Sequence, residues 1–274
     1  NTGPFKYSID EHGHCMLQGY NQAKPFSNFF PGIAGLWGTP MWVFYVNRGQ
    51  CISSFGIESK DKAMLEFLPA NKAYRQTALH GFRTFVKIKK SGKNFYWEPF
   101  QNGGISMPSA AQTMSMTSHD LTIEDKESSS GLQCRVNYFT IPEEDFAGLV
   151  RTVTFENTSK ADIDLEVVDG LPMFLPYGMN DWVVKNMSRT VEAWVKVRNL
   201  EQRAPYYQLN VEVSDTPDVR HIRAGNFYFS FEEGKKALLP AIAQAECVFG
   251  QATDFVTPKA FLQAAAYKVP SLQQ

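Results

Sequence analysis

Cysteine is scarce in this 274-residue chain: Cys15, Cys51, Cys134 and Cys247 are far apart and show no CxxC or zinc-finger spacing. That excludes a disulfide scaffold and a thiolate metal knuckle, and isolated thiols of this kind are expected to be small buried hydrophobes of a reduced, cytoplasmic protein. An excess of one charge is also missing. With 27 basic and 28 acidic residues the formal charge is −1, so neither nucleic acid nor an anionic membrane is an expected partner. No apolar run approaches the ~20 residues of a helical membrane span, and the polar segment after Asn1 lacks a signal-peptide pattern. With no initiator Met, the chain is expected to be a piece of a longer one. Helix signals are sparse. The best is Thr257-Pro258-Lys259-Ala260-Phe261, where Thr257 offers an N-cap and Pro258 a first helical position.

What the chain does have is apolar and aromatic residues, 43% and 14% of the total, in a period of two, the spacing that puts alternate side chains on one face of a strand. Ile163, Leu165 and Val167 alternate with Asp162, Asp164 and Glu166; Tyr207, Leu209, Val211 and Val213 alternate with polar residues; Phe227, Phe229 and Phe231 form a third such row. Similar runs predict strands at 41–46, 82–89, 132–141, 149–156, 191–198 and 241–249, with weaker ones at 5–9, 50–57, 95–98 and 113–123. Turn chemistry at Ser91-Gly92, Ser128–Gly131, Asn157–Ser159 and Glu233-Gly234 joins many of them by short links, so neighbours are expected to be antiparallel. The expected fold is all-β, a large antiparallel β-sandwich with few short helices. It is read as one unit over residues 1–274, with residues 257–274 as the start of a linker. Three stretches interrupt the strand rhythm, at 24–40, 102–108 and 172–185, and such loops are where binding groups are expected.

No motif carries catalysis by itself. Gly32, Gly35 and Gly38 lack the Gly-Lys-Ser/Thr ending of a phosphate-binding loop. His12 and His14 flank a glycine near a terminus, while His80, His119 and His221 are scattered without a nucleophile elbow, so surface or structural roles are favoured. Asn157 and Asn186 stand in N-x-S/T patterns, which carry no weight without a secretory signal. Glu143, Glu144 and Asp145 read as a solvated turn. Two clusters combine the planar polar and aromatic groups that bind sugars: Asn47, Arg48 and Gln50, and Tyr177 with Asn180, Asp181 and Trp182. For the first, satisfaction of buried backbone groups is the competing role; for Trp182 it is anchoring in a core or interface. Arg83, between Phe82 and Phe85, either serves a ligand or pairs with a carboxylate inside the fold.

Several uninterrupted stretches occur in order along nearly the whole chain: Phe29–Gly35, Trp42–Gln50, Ser54–Ile57, Glu66–Tyr74, Gly81–Phe85, Asp169–Pro172, Pro176–Asp181 and Thr190–Trp194. Together they resemble the N-terminal region of bacterial β-glucan phosphorylases in the cellobiose phosphorylase family, glycoside hydrolase family 94, most of all the 1,2-β-oligoglucan phosphorylase type. The resemblance implies a galactose-mutarotase-like super-sandwich joined to a helical linker, an (α/α)6 barrel and a small C-terminal piece. It also implies an enzyme in which inorganic phosphate, the co-substrate, attacks the anomeric carbon with inversion while a barrel aspartate protonates the leaving oxygen. The sequence contains no barrel region, so no residue here is assigned a catalytic role and no other cofactor is expected. The implied partners are the chain's own barrel, a β-glucooligosaccharide and a second copy in a homodimer. Two other readings stand beside this one: an autonomous carbohydrate-binding module and, with weaker warrant, an aldose-epimerase-like enzyme.

Overall fold

A computed structural model describes residues 5–101, 112–213 and 217–270. The strands run in chain order as β1 (Lys6–Ile9), β2 (Cys15–Gln18), β3 (Ser27–Ala34), β4 (Thr39–Val46), β5 (Ile52–Ile57), β6 (Ala63–Leu65), β7 (Arg83–Lys90), β8 (Lys93–Trp97), β9 (Thr113–Met116), β10 (Asp120–Glu127), β11 (Leu132–Thr140), β12 (Leu149–Asn157), β13 (Ile163–Gly170), β14 (Val195–Arg198), β15 (Tyr206–Leu209) and β16 (Asn226–Phe227). The helices are short: α1 (Ala70–His80), α2 (Asp181–Asn186), α3 (Glu246–Phe249) and α4 (Lys259–Gln263). None of them is long and apolar enough to cross a membrane.

All pairings between these strands are antiparallel. They build a six-stranded sheet in the order β1-β2-β9-β10-β11-β12, a four-stranded sheet β3-β4-β5-β6, and two three-stranded sheets, β13-β7-β8 and β14-β15-β16. The alternation read from the sequence explains the principal core. Leu121 and Ile123 of β10 and Leu132, Cys134, Val136 and Tyr138 of β11 point to one side, and they meet Met41, Val43 and Tyr45 of β4 and Val86, Ile88 and Trp97 of β7 and β8. Each such side chain contributes about 1.5–3 kcal/mol on burial, whereas an exposed ion pair contributes about 0–1 kcal/mol, so the shared core and not surface charge holds the three sheets together.

Several expectations are revised. The stretch 24–40, expected to be irregular, is largely the β3–β4 hairpin, in which Ile33 pairs with Pro40. Over 191–198 only the last four residues form a strand; Ser188–Trp194 is a 3-10 helix that turns Val191 inward against Val183 and Leu209. No strand forms over 241–249: α3 occupies Glu246–Phe249, because adjacent Val248 and Phe249 are both buried beneath Phe85, an arrangement that alternation forbids. The run 113–123 is two strands separated by a turn at 117–119. In the row Phe227, Phe229, Phe231 the strand ends at Phe227 and the last two rings are exposed. The stretch 172–185 holds the start of α2, while 102–108 lies outside the described residues. Beyond Thr257, where a linker was expected, Phe261 of α4 is fully buried and the Ala264 carbonyl accepts a hydrogen bond from Lys87 at 2.7 Å.

The four cysteines are free thiols, with Cys51 and Cys134 buried and Cys15 and Cys247 partly exposed. Burial pushes the Cys51 thiol up to about 12, so its thiolate is negligible at neutral pH. A thiol reagent applied to the native protein is expected to label Cys15 and Cys247 and to reach Cys51 and Cys134 only in denaturant. Rapid labelling of Cys51 in the native state would contradict this burial.

Candidate functional site

The polar turn after β4 is turned inward. Asn47 is fully buried; its amide donates to the carbonyls of Tyr20 at 3.0 Å and Lys24 at 3.1 Å, and its Oδ1 accepts from the Phe26 N–H at 3.0 Å. Arg48 donates to the Asn47 carbonyl at 2.6 Å and lies 4.5 Å over the Tyr74 ring of α1. Gly49 has φ +54, and a β-carbon there would press on the Ala78 backbone of α1, so the turn is shaped by glycine for close approach to that helix.

Gln50 leads into a largely buried polar network. Its amide donates to Thr84 at 2.8 Å, Thr84 donates to Asp169 at 2.6 Å, and Arg151 bonds Asp169, the Gln50 amide oxygen, Thr84 and Tyr138. Tyr138 in turn donates to the Gln50 carbonyl at 3.0 Å. Burial works against the Arg151 charge, but Asp169 and Tyr138 hold its pKa above the ordinary value; burial also raises the Tyr138 phenol. Both Asp169 oxygens are engaged, one by Thr84 and one by Arg151. The geometry of this network locks β7, β11, β12 and β13 to the Gln50 turn.

A second buried pair sits on the opposite face of β7. Arg83, as the sequence allowed, pairs with a carboxylate: Nε and Nη2 lie 2.6 and 3.0 Å from the two oxygens of Glu98. Its guanidinium also holds the Phe255 and Val256 carbonyls. Burial pushes the Glu98 carboxyl up, against the pull of Arg83.

The second predicted cluster is divided between roles. Asn180 caps α2, accepting from the Val183 N–H at 2.9 Å. Asp181 pairs with Lys60 at 2.8 Å and Lys185 at 2.7 Å, and hydrogen bonds from Lys185 and Lys60 hold its carboxyl below the usual range. Tyr177 forms a backbone bridge to Gln208. Trp182 is 59% exposed and Tyr177 is half-buried, so the indole is the more open aromatic surface of the cluster.

Two surface features are not visible in the sequence pattern. The first is apolar. On the outer face of the four-stranded sheet, Phe29 stacks 6.0 Å from Phe67, and Trp42 meets Phe67 edge-on at 5.7 Å. Phe29 and Phe67 remain partly exposed, and at the hairpin tip Ile33 and Leu36 are exposed while Trp37 is 89% exposed. This tip is held firmly: Gly35 and Leu36 donate to the carbonyls of Ile141 at 2.9 Å and Glu144 at 2.6 Å. The second is a groove of about 440 Å³ on the small sheet, lined by Arg198, Asn199, Tyr206, Gln208, Asn210, His221, Ile222 and Arg223. The register pairs Arg198 with Tyr206 and Lys196 with Gln208, a pairing of polar faces that the alternation along β14 and β15 implies once their register is known. Among the described residues no group of three or more His, Cys, Asp or Glu is placed to hold a metal ion.

No protein-family model matches the chain, and no curated protein matches it significantly.

Proposed function

We propose that this chain is a non-catalytic accessory and assembly domain of a cytoplasmic β-glucan phosphorylase, packed against an (α/α)6 barrel that lies elsewhere in the full-length protein. In this reading the antiparallel sheets are the layers of a galactose-mutarotase-like super-sandwich, inorganic phosphate is the co-substrate of the whole enzyme, and a second copy pairs with the first in a homodimer. The observation that carries the assembly role is the hairpin tip, where backbone hydrogen bonds to Ile141 and Glu144 hold Trp37 at 89% exposure beside Ile33 and Leu36. An apolar surface that is both rigid and exposed is the mark of a surface made to be covered by another body. The acids and bases of the interior support a scaffold role, since Arg151, Asp169, Arg83 and Glu98 are engaged with one another.

The test is turnover. Full-length gene product given β-glucooligosaccharide and inorganic phosphate is expected to release glucose 1-phosphate, while residues 1–274 alone release none. Glucose 1-phosphate from residues 1–274 alone, or none from the full-length product, overturns the reading. One observation favours the carbohydrate-binding module as a second reading, the open indole of Trp182. On that reading, β-glucooligosaccharide added to residues 1–274 quenches or shifts tryptophan fluorescence in a way that Trp182→Ala abolishes.

A further inference from the structure

The groove on the small sheet has an unusual charge arrangement for a chain whose formal charge is −1. Arg198, Arg223 and His221 line it, and among the described residues no carboxylate does. Lys196 lies on the same sheet face, opposite Gln208. Of the acids in this segment, Glu212 lies 4.0 Å from Arg220, and Glu201 and Asp218 make no ion pair with Arg198 or Arg223 among the described residues. Arg83, Arg135, Arg151 and Arg220 each meet a carboxylate; Arg198 and Arg223, like Arg48, Arg75 and Arg203, meet none among the described residues, but only Arg198 and Arg223 share a groove. Both arginines are exposed along the same groove, where an anion gains charge-assisted hydrogen bonds from either guanidinium.

The groove is also built. Tyr206 donates to the Arg223 carbonyl at 2.8 Å, and Gln208, nearly fully buried, donates to the Ile222 carbonyl at 3.0 Å, so the segment bearing His221 and Arg223 is fastened to the floor of β15. The Tyr206 ring lies flush on the backbone of Gly225, where any β-carbon would overlap it. The volume, about 440 Å³, falls within the roughly 300–1,000 Å³ of small-molecule sites. Planar guanidinium forks match the oxygens of a phosphate dianion, and the side-chain amides of Asn199 and Asn210 suit neighbouring hydroxyls.

We propose that this groove binds a phosphate dianion, held between Arg198 and Arg223, either free or esterified to a sugar. The proposal is independent of the phosphorylase reading, because it concerns binding by this chain without turnover. Calorimetric titration of residues 1–274 at low ionic strength, with glucose 1-phosphate, inorganic phosphate and glucose in separate runs, tests it. Both phosphate ligands are expected to bind and glucose to fail; Arg198→Gln and Arg223→Gln are each expected to weaken binding roughly tenfold or more, and added salt to weaken it further. Equal affinity for the two phosphate ligands assigns the site to free phosphate, and tighter glucose 1-phosphate assigns it to the ester. In the unsubstituted protein, the His221 ring signals are expected to shift during the same titration, a readout that needs no variant. Absence of binding by either phosphate ligand, or unchanged affinity in both variants with an unaltered thermal midpoint, overturns the proposal.

Discussion

Replacing Arg151 with Met is expected to lower the free energy of unfolding by about 3–5 kcal/mol, the usual cost of removing one partner from a buried charge pair. The size follows from what is left behind. Among the described residues Asp169 keeps Thr84 as its side-chain donor, the Gln50 amide oxygen loses its cation, and Tyr138 loses the Nε donor at 3.2 Å. Methionine fills much of the volume between Phe82 and Tyr138, over which the guanidinium now lies at 5.0 and 5.8 Å, so the loss is electrostatic more than steric. Arg135 supplies the contrast: it pairs with Glu124 at 2.5 Å but is well exposed, and Arg135→Met is expected to cost under about 1 kcal/mol. Urea denaturation of the two variants side by side checks this, and near-equal midpoints would show that the Arg151 network contributes no more than a surface pair.

The strands that bury one clean face are legible in the amino-acid pattern. In β11 the buried residues Leu132, Cys134, Val136 and Tyr138 are separated by residues that point away, so side-chain chemistry alone marks the inward face. The same logic fails where burial is satisfied at long range. Asp125 and Glu127 stand on the buried face of β10 although their chemistry reads as outward-facing: Asp125 accepts from the Phe100 N–H at 2.6 Å and from Gln112 at 3.1 Å. Glu127 serves the Ser128–Gly131 turn: burial alone raises its carboxyl, but hydrogen bonds from Ser130 and Ser129 outweigh this and hold it low. The longest helix, α1, is absent from the sequence-based expectation although local signals for it are present: Pro69 before it, Gly81 after it, helix-favouring Ala, Lys, Gln and Leu between, and Ala73 and Thr77 one turn apart on the buried side. Of the proposed sugar contacts, the turn glycine and planar groups of Asn47–Gln50 are visible in the sequence, but their inward direction depends on partners more than twenty residues away, such as the carbonyls of Tyr20 and Lys24. The groove on the small sheet depends on which residues of β14 oppose those of β15, and spacing along one strand does not contain that register.

The other large effect is expected at Arg83, 2% exposed, whose replacement by Met removes the cation beside buried Glu98 and releases the Phe255 and Val256 carbonyls. Here too about 3–5 kcal/mol is expected to be lost, and limited proteolysis is expected to open the chain near Phe255, since this guanidinium ties the C-terminal segment to β7. The double variant Arg83→Met/Glu98→Gln separates charge from packing. Removing the carboxylate charge is expected to recover a large part of the loss, though not all of it, because Glu98 also accepts from Tyr96 at 3.3 Å and the two carbonyls stay unpaired. Acidity provides an independent check. Burial already raises the Glu98 carboxyl above its ordinary value, and without Arg83 it rises further, so the folded variant binds a proton that the unfolded chain gives up. The deficit of Arg83→Met is therefore expected to be smallest in acid, below the ordinary glutamate value of about 4.3, and to grow as pH climbs through the raised folded value. A deficit that stays constant across that range, with no recovery in the double variant, would mean that the lost carbonyl contacts and not the loss of the cation beside Glu98 account for the instability.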